Sequence, residues 1–241
     1  MLAAAAAEPD RLVVGVDASA AAMAEASRRA GRRPERGGLP NALFVVAAAE
    51  ALPPELDGLA GLVTVHFPWG SLLRGLLAAD PAVLAGLVRV MCPGATLSVL
   101  LSLTDRDHGA GAGPVGEATL AALAAPYARH GLAVTRVRPA TPADVAASHS
   151  TWGRRLGAGD RRPAWLLEAS RPAGGWGQRS SARRAPAWSS RDAASSRPAQ
   201  GSDAASRSAM VRSVSRPGWK SSSSDQSSGT DTGAPGRART A

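Results

Sequence analysis

LAGLVTVHFPWGSLLRG, residues 59–75, decides the fold. Its first nine residues are apolar on both faces, as a central strand covered by helices requires. Pro68, Trp69 and Gly70 punctuate the run, and GSLLRGLLAA (70–79) continues with helical spacing. A buried strand running straight into a helix is the unit of a parallel α/β sheet. The same alternation extends both ways. Upstream, RLVVGVD (11–17) is a β-branched run ending in an acid. ASAAAMAEASRRAG (18–31) is a helix with Ser19 as N-cap and Gly31 as stop, and NALFVVAAA (41–49) is a second strand. MLAAAAAEPD reads as the end of a helix. Downstream come a helix at 81–91 with Pro81 in its first turn, a CPG turn at 92–94 and a strand at 95–103. A helix at 116–131, a strand at 132–140, a short helix at 141–150 and a last strand at 163–170 follow. The expectation is a doubly wound α/β sheet over residues 1–170.

Composition changes at that boundary. Residues 171–241 hold 12 Lys+Arg, 4 Asp+Glu and 17 serines, against 16 basic and 15 acidic residues before it. The net charge of +9 therefore belongs almost wholly to the tail. With so few aliphatics the tail cannot offset its ordering entropy, and 171–241 is expected to be disordered. It reads as a basic arm for RNA phosphates or as a solvated extension. One lysine against 27 arginines, with abundant Ala and Gly, points to a GC-rich genome.

Several classes fall away. A single cysteine, Cys92, excludes a disulfide framework and a Cys-based zinc site, and His66, His108, His130 and His149 have no metal spacing. No metal is expected. The longest apolar runs, about seven to nine residues, are too short to span a bilayer. The first ten residues lack the layout of a secretory signal. The expectation is a soluble, monomeric, cytoplasmic protein.

In such sheets ligands bind beyond the carboxyl ends of the strands. Asp17 ends a strand, where a carboxylate either accepts hydrogen bonds from a ribose or caps the following helix. Glu50, in AAAEALPP (47–54), either borders an adenine or is an exposed loop acid. Trp69 either stacks a planar base or fills the core. STWGRRLGAGDRRPAW (150–165) interleaves Trp152 with Arg154, Arg155, Arg161 and Arg162, and RRAGRRPERGG (28–38) groups Arg28, Arg29, Arg32 and Arg33. Arginine forks with an aromatic suit RNA, though such clusters also occur as solvated loops. HGAGAGPVG (108–116) follows a late strand, unlike a dinucleotide loop, and reads as a flexible connection.

RLVVGVDAS, GGLPNALFVVAAAEALPP, HFPWGSLLRG and STWGRRL, in this order and spacing, resemble one family. It is the aminoglycoside-resistance 16S rRNA adenine-N1 methyltransferases of the kanamycin–apramycin type. The resemblance covers roughly residues 5–170. It implies a Rossmann-like fold dependent on S-adenosylmethionine (SAM). It also implies that Asp17 holds the cofactor ribose, that Ala49 and Glu50 border its adenine, and that Trp69 and Trp152 sandwich a flipped target adenine. Arg155, with Arg161 or Arg162, would grip phosphates, Ser150 or Thr151 would help position the base, and the 28–36 linker would dock on the small ribosomal subunit. The family's glycine-rich SAM loop lies upstream of the acid-ended strand. Only ten residues precede Arg11, none of them glycine. The resemblance thus implies a sheet lacking its first strand, with open edges at its centre. Two alternatives stand beside it: a non-catalytic RNA-binding relative, and a small-molecule SAM methyltransferase.

Overall fold

The structure is a computed structural model that describes residues 1–102 and 115–174, and the backbone of 209–213. The strands are β1 (Val13–Asp17), β2 (Ala42–Val46), β3 (Ala60–His66), β4 (Met91–Leu101), β5 (Ala133–Pro139), β6 (Trp165–Ser170) and β7 (Ala209–Ser213). The helices are α1 (Leu2–Ala7), α2 (Ala20–Ala30), α3 (Gly70–Leu77), α4 (Pro81–Val90), α5 (Glu117–Ala121), α6 (Ala124–Arg129), α7 (Pro142–Ala147) and α8 (Thr151–Leu156). One seven-stranded sheet has the order β2-β1-β7-β3-β4-β6-β5. The β1–β2 and β3–β4 pairs are parallel, as the βαβ reading requires, and β6 runs antiparallel to β4 and β5.

The element boundaries follow local chemistry. Ser19 caps α2 by accepting from the Ala22 N–H at 3.3 Å, and the Asp80 carboxylate caps α4 through the Ala82 and Val83 N–H groups. The helix expected at 116–131 divides into α5 and α6, which places Pro126 in a first turn where it forfeits no helical hydrogen bond. The CPG turn survives as a bulge inside β4. Ala60 lies opposite Met91 while Leu62 lies opposite Thr96, and Gly94 takes φ 82°. The helix expected at 141–150 ends at Ala147, because His149 adopts φ 51°, and a new helix starts at Thr151.

The open edges expected at the centre of the sheet are filled. β7 pairs antiparallel with both β1 and β3, with Val211 opposite Val14 on one side and Val63 on the other. This strand lies inside the tail whose composition argued against order. A strand bonded on both edges draws its stability from backbone groups, which composition does not report.

The main core packs α3, α4 and α6 on the sheet through Leu73, Leu76, Leu84, Leu87, Leu97 and Tyr127. A second cluster, Phe67, Leu100, Val145, Ala158, Ala164 and Leu166, sits at the carboxyl ends of β3 and β4. A third joins Ala4 and Ala5 of α1 to Val13.

Candidate cofactor and nucleic-acid site

Asp17 closes β1 and is buried. One carboxylate oxygen accepts the Ser19 N–H at 2.8 Å, which fixes its orientation at the strand's carboxyl end. The Asp17 carbonyl accepts the Ala47 N–H at 3.1 Å, so β2 delivers the following turn beside it. That turn, Ala49–Ala51, has Ala49 buried and Glu50 exposed. It is held from below by α4. A Cβ on Gly86 would overlap the Ala49 carbonyl oxygen, so the helix reaches the turn's backbone only because residue 86 is glycine. Nothing in the sequence around Gly86 signals this, since a glycine inside a helix pattern usually reads as a local weakness.

The two tryptophans come from separate elements, and the segment before Trp69 and the helix that bears Trp152 share one apolar cluster. Trp69 is the N-cap residue of α3, following Phe67, whose φ of 50° is rare for an aromatic, and the buried Pro68. Both Trp69 and Trp152 are half-exposed. Trp152 lies in the first turn of α8 and packs against the cluster containing Phe67. Ser150 caps α8 by accepting the Gly153 N–H at 3.1 Å. Its own N–H donates to Ser148 Oγ at 3.2 Å, and Ser148 Oγ donates to the Val145 carbonyl at 2.7 Å. α7 is anchored in turn by a capping box between Thr141 and Asp144 and by the Arg138–Asp144 ion pair at 2.7 Å. That guanidinium hydrogen bond holds the Asp144 carboxyl well below the usual carboxylate range.

The arginines divide by exposure. Arg154, Arg155 and Arg161 are exposed, the first two just after Trp152 in α8. Arg162 is half-buried and donates from Nε to Ser102 Oγ at 3.1 Å and from Nη2 to the Ser102 carbonyl at 3.3 Å, tying the segment after α8 to the end of β4. Ser102 Oγ donates to the Pro163 carbonyl at 2.6 Å. Ser102 was not singled out by the sequence, where it is one serine in an apolar run. Arg28, Arg29, Arg32 and Arg33 are all exposed. They close α2 and lead into β2, whose Ala42 lies opposite Val13 at the start of β1. This cluster therefore sits at the other end of the strands from Asp17, and the structure does not bring it to the tryptophans.

The residues present suit the nucleoside half of SAM: a buried, oriented carboxylate for ribose hydroxyls and a turn with a fixed backbone for an adenine edge. Of the glycine-rich stretch 108–116, residues 108–114 lie outside the described residues. Among the described residues no group of three or more His, Cys, Asp or Glu could hold a metal ion, and no single helix is long and apolar enough to cross a membrane.

The family model described as NpmA, 16S rRNA (adenine(1408)-N(1))-methyltransferase, matches residues 1–171. A 16S rRNA (adenine(1408)-N(1))-methyltransferase of Streptoalloteichus tenebrarius is 40% identical over 153 residues, covering 61% of this chain and 70% of the relative. Among solved structures, a variant of the corresponding enzyme from Catenulisporales acidiphilia, with cosubstrate SAM, superposes with a TM-score of 0.65 at 34% identity. The match covers 71% of this chain and 80% of that one. The 16S rRNA methyltransferase KamB superposes with a TM-score of 0.63 at 36% identity, covering 71% and 81%.

Proposed function

Because the chain belongs to the 16S rRNA (adenine(1408)-N(1))-methyltransferase family, we propose that it transfers a methyl group from SAM to N1 of a decoding-site adenine, the modification behind aminoglycoside resistance. The observation that carries this reading is that Trp152 and Phe67, which stands two residues before Trp69, pack into one cluster at the carboxyl ends of β3 and β4. SAM supplies an electrophilic methyl group. Asp17 would bind its ribose hydroxyls, and Ala49 and Glu50 would border its adenine ring.

Adenine N1 carries its own lone pair, so attack needs no prior deprotonation. The site accordingly requires orientation rather than a general base. A base flipped out of the RNA and stacked between two indoles has its N1 edge held in one plane. Such stacking is worth about 1–3 kcal/mol per base. Alignment of N1 with the methyl group then supplies much of the rate, since well-positioned reactants gain several kcal/mol.

Arg154, Arg155, Arg161 and Arg162 would meet phosphates around the target, with Ser150 or Thr151 against the base. Arg28, Arg29, Arg32 and Arg33 lie at the far end of the strands, a span that suits a large folded RNA better than a nucleotide. This supports the intact small ribosomal subunit as substrate, and the reading takes the chain to act on it as a monomer in the cytoplasm. It also weighs against a small-molecule substrate. The test is primer extension on small subunits incubated with the protein and SAM. A methyl on N1 blocks base pairing and gives a new stop at the decoding-site adenine. No stop, with SAM binding demonstrated by calorimetry, would overturn the proposal in favour of RNA binding without transfer.

A further inference from the structure

The two tryptophans stand on different elements, yet the residues next to them interlock. A Cβ built on Gly153 would lie 2.5 Å from Cζ of Phe67 and closer still to Cε2. The Phe67 ring therefore rests directly on the α8 backbone, in space that any other residue at 153 would claim. Gly153 follows Trp152 directly, and Phe67 precedes Trp69 by two residues.

Neither partner has room to yield. Phe67 is buried among Leu100, Val145, Ala158 and Leu166, its backbone sits at φ 50°, and its N–H donates to the Leu100 carbonyl at 2.6 Å. On the other side, the Gly153 N–H is taken by Ser150 Oγ, and its carbonyl accepts the Ala158 N–H at 3.1 Å. Left-handed backbone at Phe67 and at His149 (φ 51°) flanks the contact on both segments. Such strain persists only where the surroundings over-determine it.

We propose that Phe67 and Gly153 are positioning residues that set the spacing of Trp69 and Trp152 through this ring-on-backbone contact. The inference rests on the reading that these two indoles hold the target base. Substitution of Gly153 pushes α8 and the 67–69 segment apart, and the slot widens without loss of either indole.

The test uses the full chain labelled with fluorotryptophan, followed by fluorine NMR. The signals of Trp69 and Trp152 are assigned with Trp69→Phe and Trp152→Phe. In Gly153→Ala both signals move while those of the other four tryptophans stay. Adding Phe67→Leu, which shortens the ring to an aliphatic fork, brings both back. Phe67→Leu alone also shifts both, so the coupling remains testable if Gly153→Ala fails to fold. In methyl transfer to small subunits, Gly153→Ala lowers kcat about 10- to 100-fold, with KM for subunits within about twofold, as a misplacement near 1 Å produces. The double variant recovers most of kcat.

Movement of the Trp152 signal alone, or no recovery in the double variant, overturns the inference. If both signals move together but the wild-type chain transfers no methyl group, the coupling stands and the proposed function fails. If methyl transfer occurs and the signals move separately, the function stands and the coupling fails.

Discussion

Strands β3, β4, β6 and β5 rest on a continuous core, with Leu73, Leu84, Leu97, Tyr127 and Leu167 almost wholly removed from water. Strands β2 and β1 have a thinner cover. β2 leaves Leu43 and Val46 exposed, and β1 has one face under the small α1 cluster of Ala4 and Ala5 while Val14 and Val16 on its other face join the main core. β7 joins the two regions. The chemistry divides along the same line. Trp69, Trp152 and the α8 arginines hang from the thick half, whereas Asp17 and the Ala49–Glu50 turn belong to the thin one. The base-holding machinery thus rests mainly on β3 and β4, and the cofactor side adjoins a strand contributed from far along the chain.

Breaking that junction gives the largest expected effect. Val211→Pro removes an N–H from a strand bonded on both edges, which proline tolerates only at sheet edges. A loss of at least about 3 kcal/mol is expected. Hydrogen exchange should show β1 amides losing protection while β4 and β6 amides keep theirs. Equal protection in variant and wild type would show that β7 does not support β1.

Gly86→Ala probes a place where the thick half props the thin one. The added methyl meets the Ala49 carbonyl, and overpacking of this kind costs about 1–3 kcal/mol. Calorimetry should show weaker SAM binding while affinity for small subunits is unchanged. A matching fall in both would mean that the two sides are not separable.

Tyr127 sharpens the comparison from within the thick half. Its hydroxyl donates to the Leu76 carbonyl at 3.1 Å, and burial pushes its pKa well above the normal value of 10. The folded state therefore keeps its proton after the unfolded chain has lost it. The stability this group contributes is complete below pH 10 and declines as pH rises above it. Tyr127→Phe should cost about 0.5–1.5 kcal/mol at neutral pH and flatten the alkaline decline in denaturant titrations between about pH 9 and 11.5. A decline of unchanged slope would place the titrating group elsewhere.

The smallest effect on stability belongs to Arg32→Ala with Arg33→Ala. Both side chains are exposed, and surface changes of this type stay within about 0.5 kcal/mol. Subunit binding should weaken and its salt dependence should fall by about one to two ionic contacts. Unchanged salt dependence would remove this edge from the RNA footprint.

These contrasts also explain what the sequence disclosed. β3 and the Pro68–Trp69 turn were legible because a strand buried on both faces and a proline–glycine stop leave local patterns. Asp17 and the Ser19 cap were legible for the same reason. Gly86, Gly153 and Ser102 were not, because each matters through a partner far away in the chain. β7 was the least legible. Its position depends on the two edges of β1 and β3, and a short strand within a Ser- and Arg-rich stretch has too few apolar residues to stand out. The arginines show an intermediate case. Their clustering was visible, but the turn of Arg162 toward Ser102 and the exposure of Arg161 beside it are tertiary facts.

The strand between β1 and β3 is also the last of the seven to leave the ribosome. Synthesis proceeds at roughly 5–20 residues per second, so the stretch from Ser170 to Ser213 takes about 2–9 s. During that interval six strands and both tryptophan arms are already made, yet β1 and β3 present bare edges to their surroundings. Any extended peptide can settle there first, including one from a neighbouring nascent copy on the same message. How long those edges stay open is therefore set by translation speed, a quantity that no property of the finished sheet reveals.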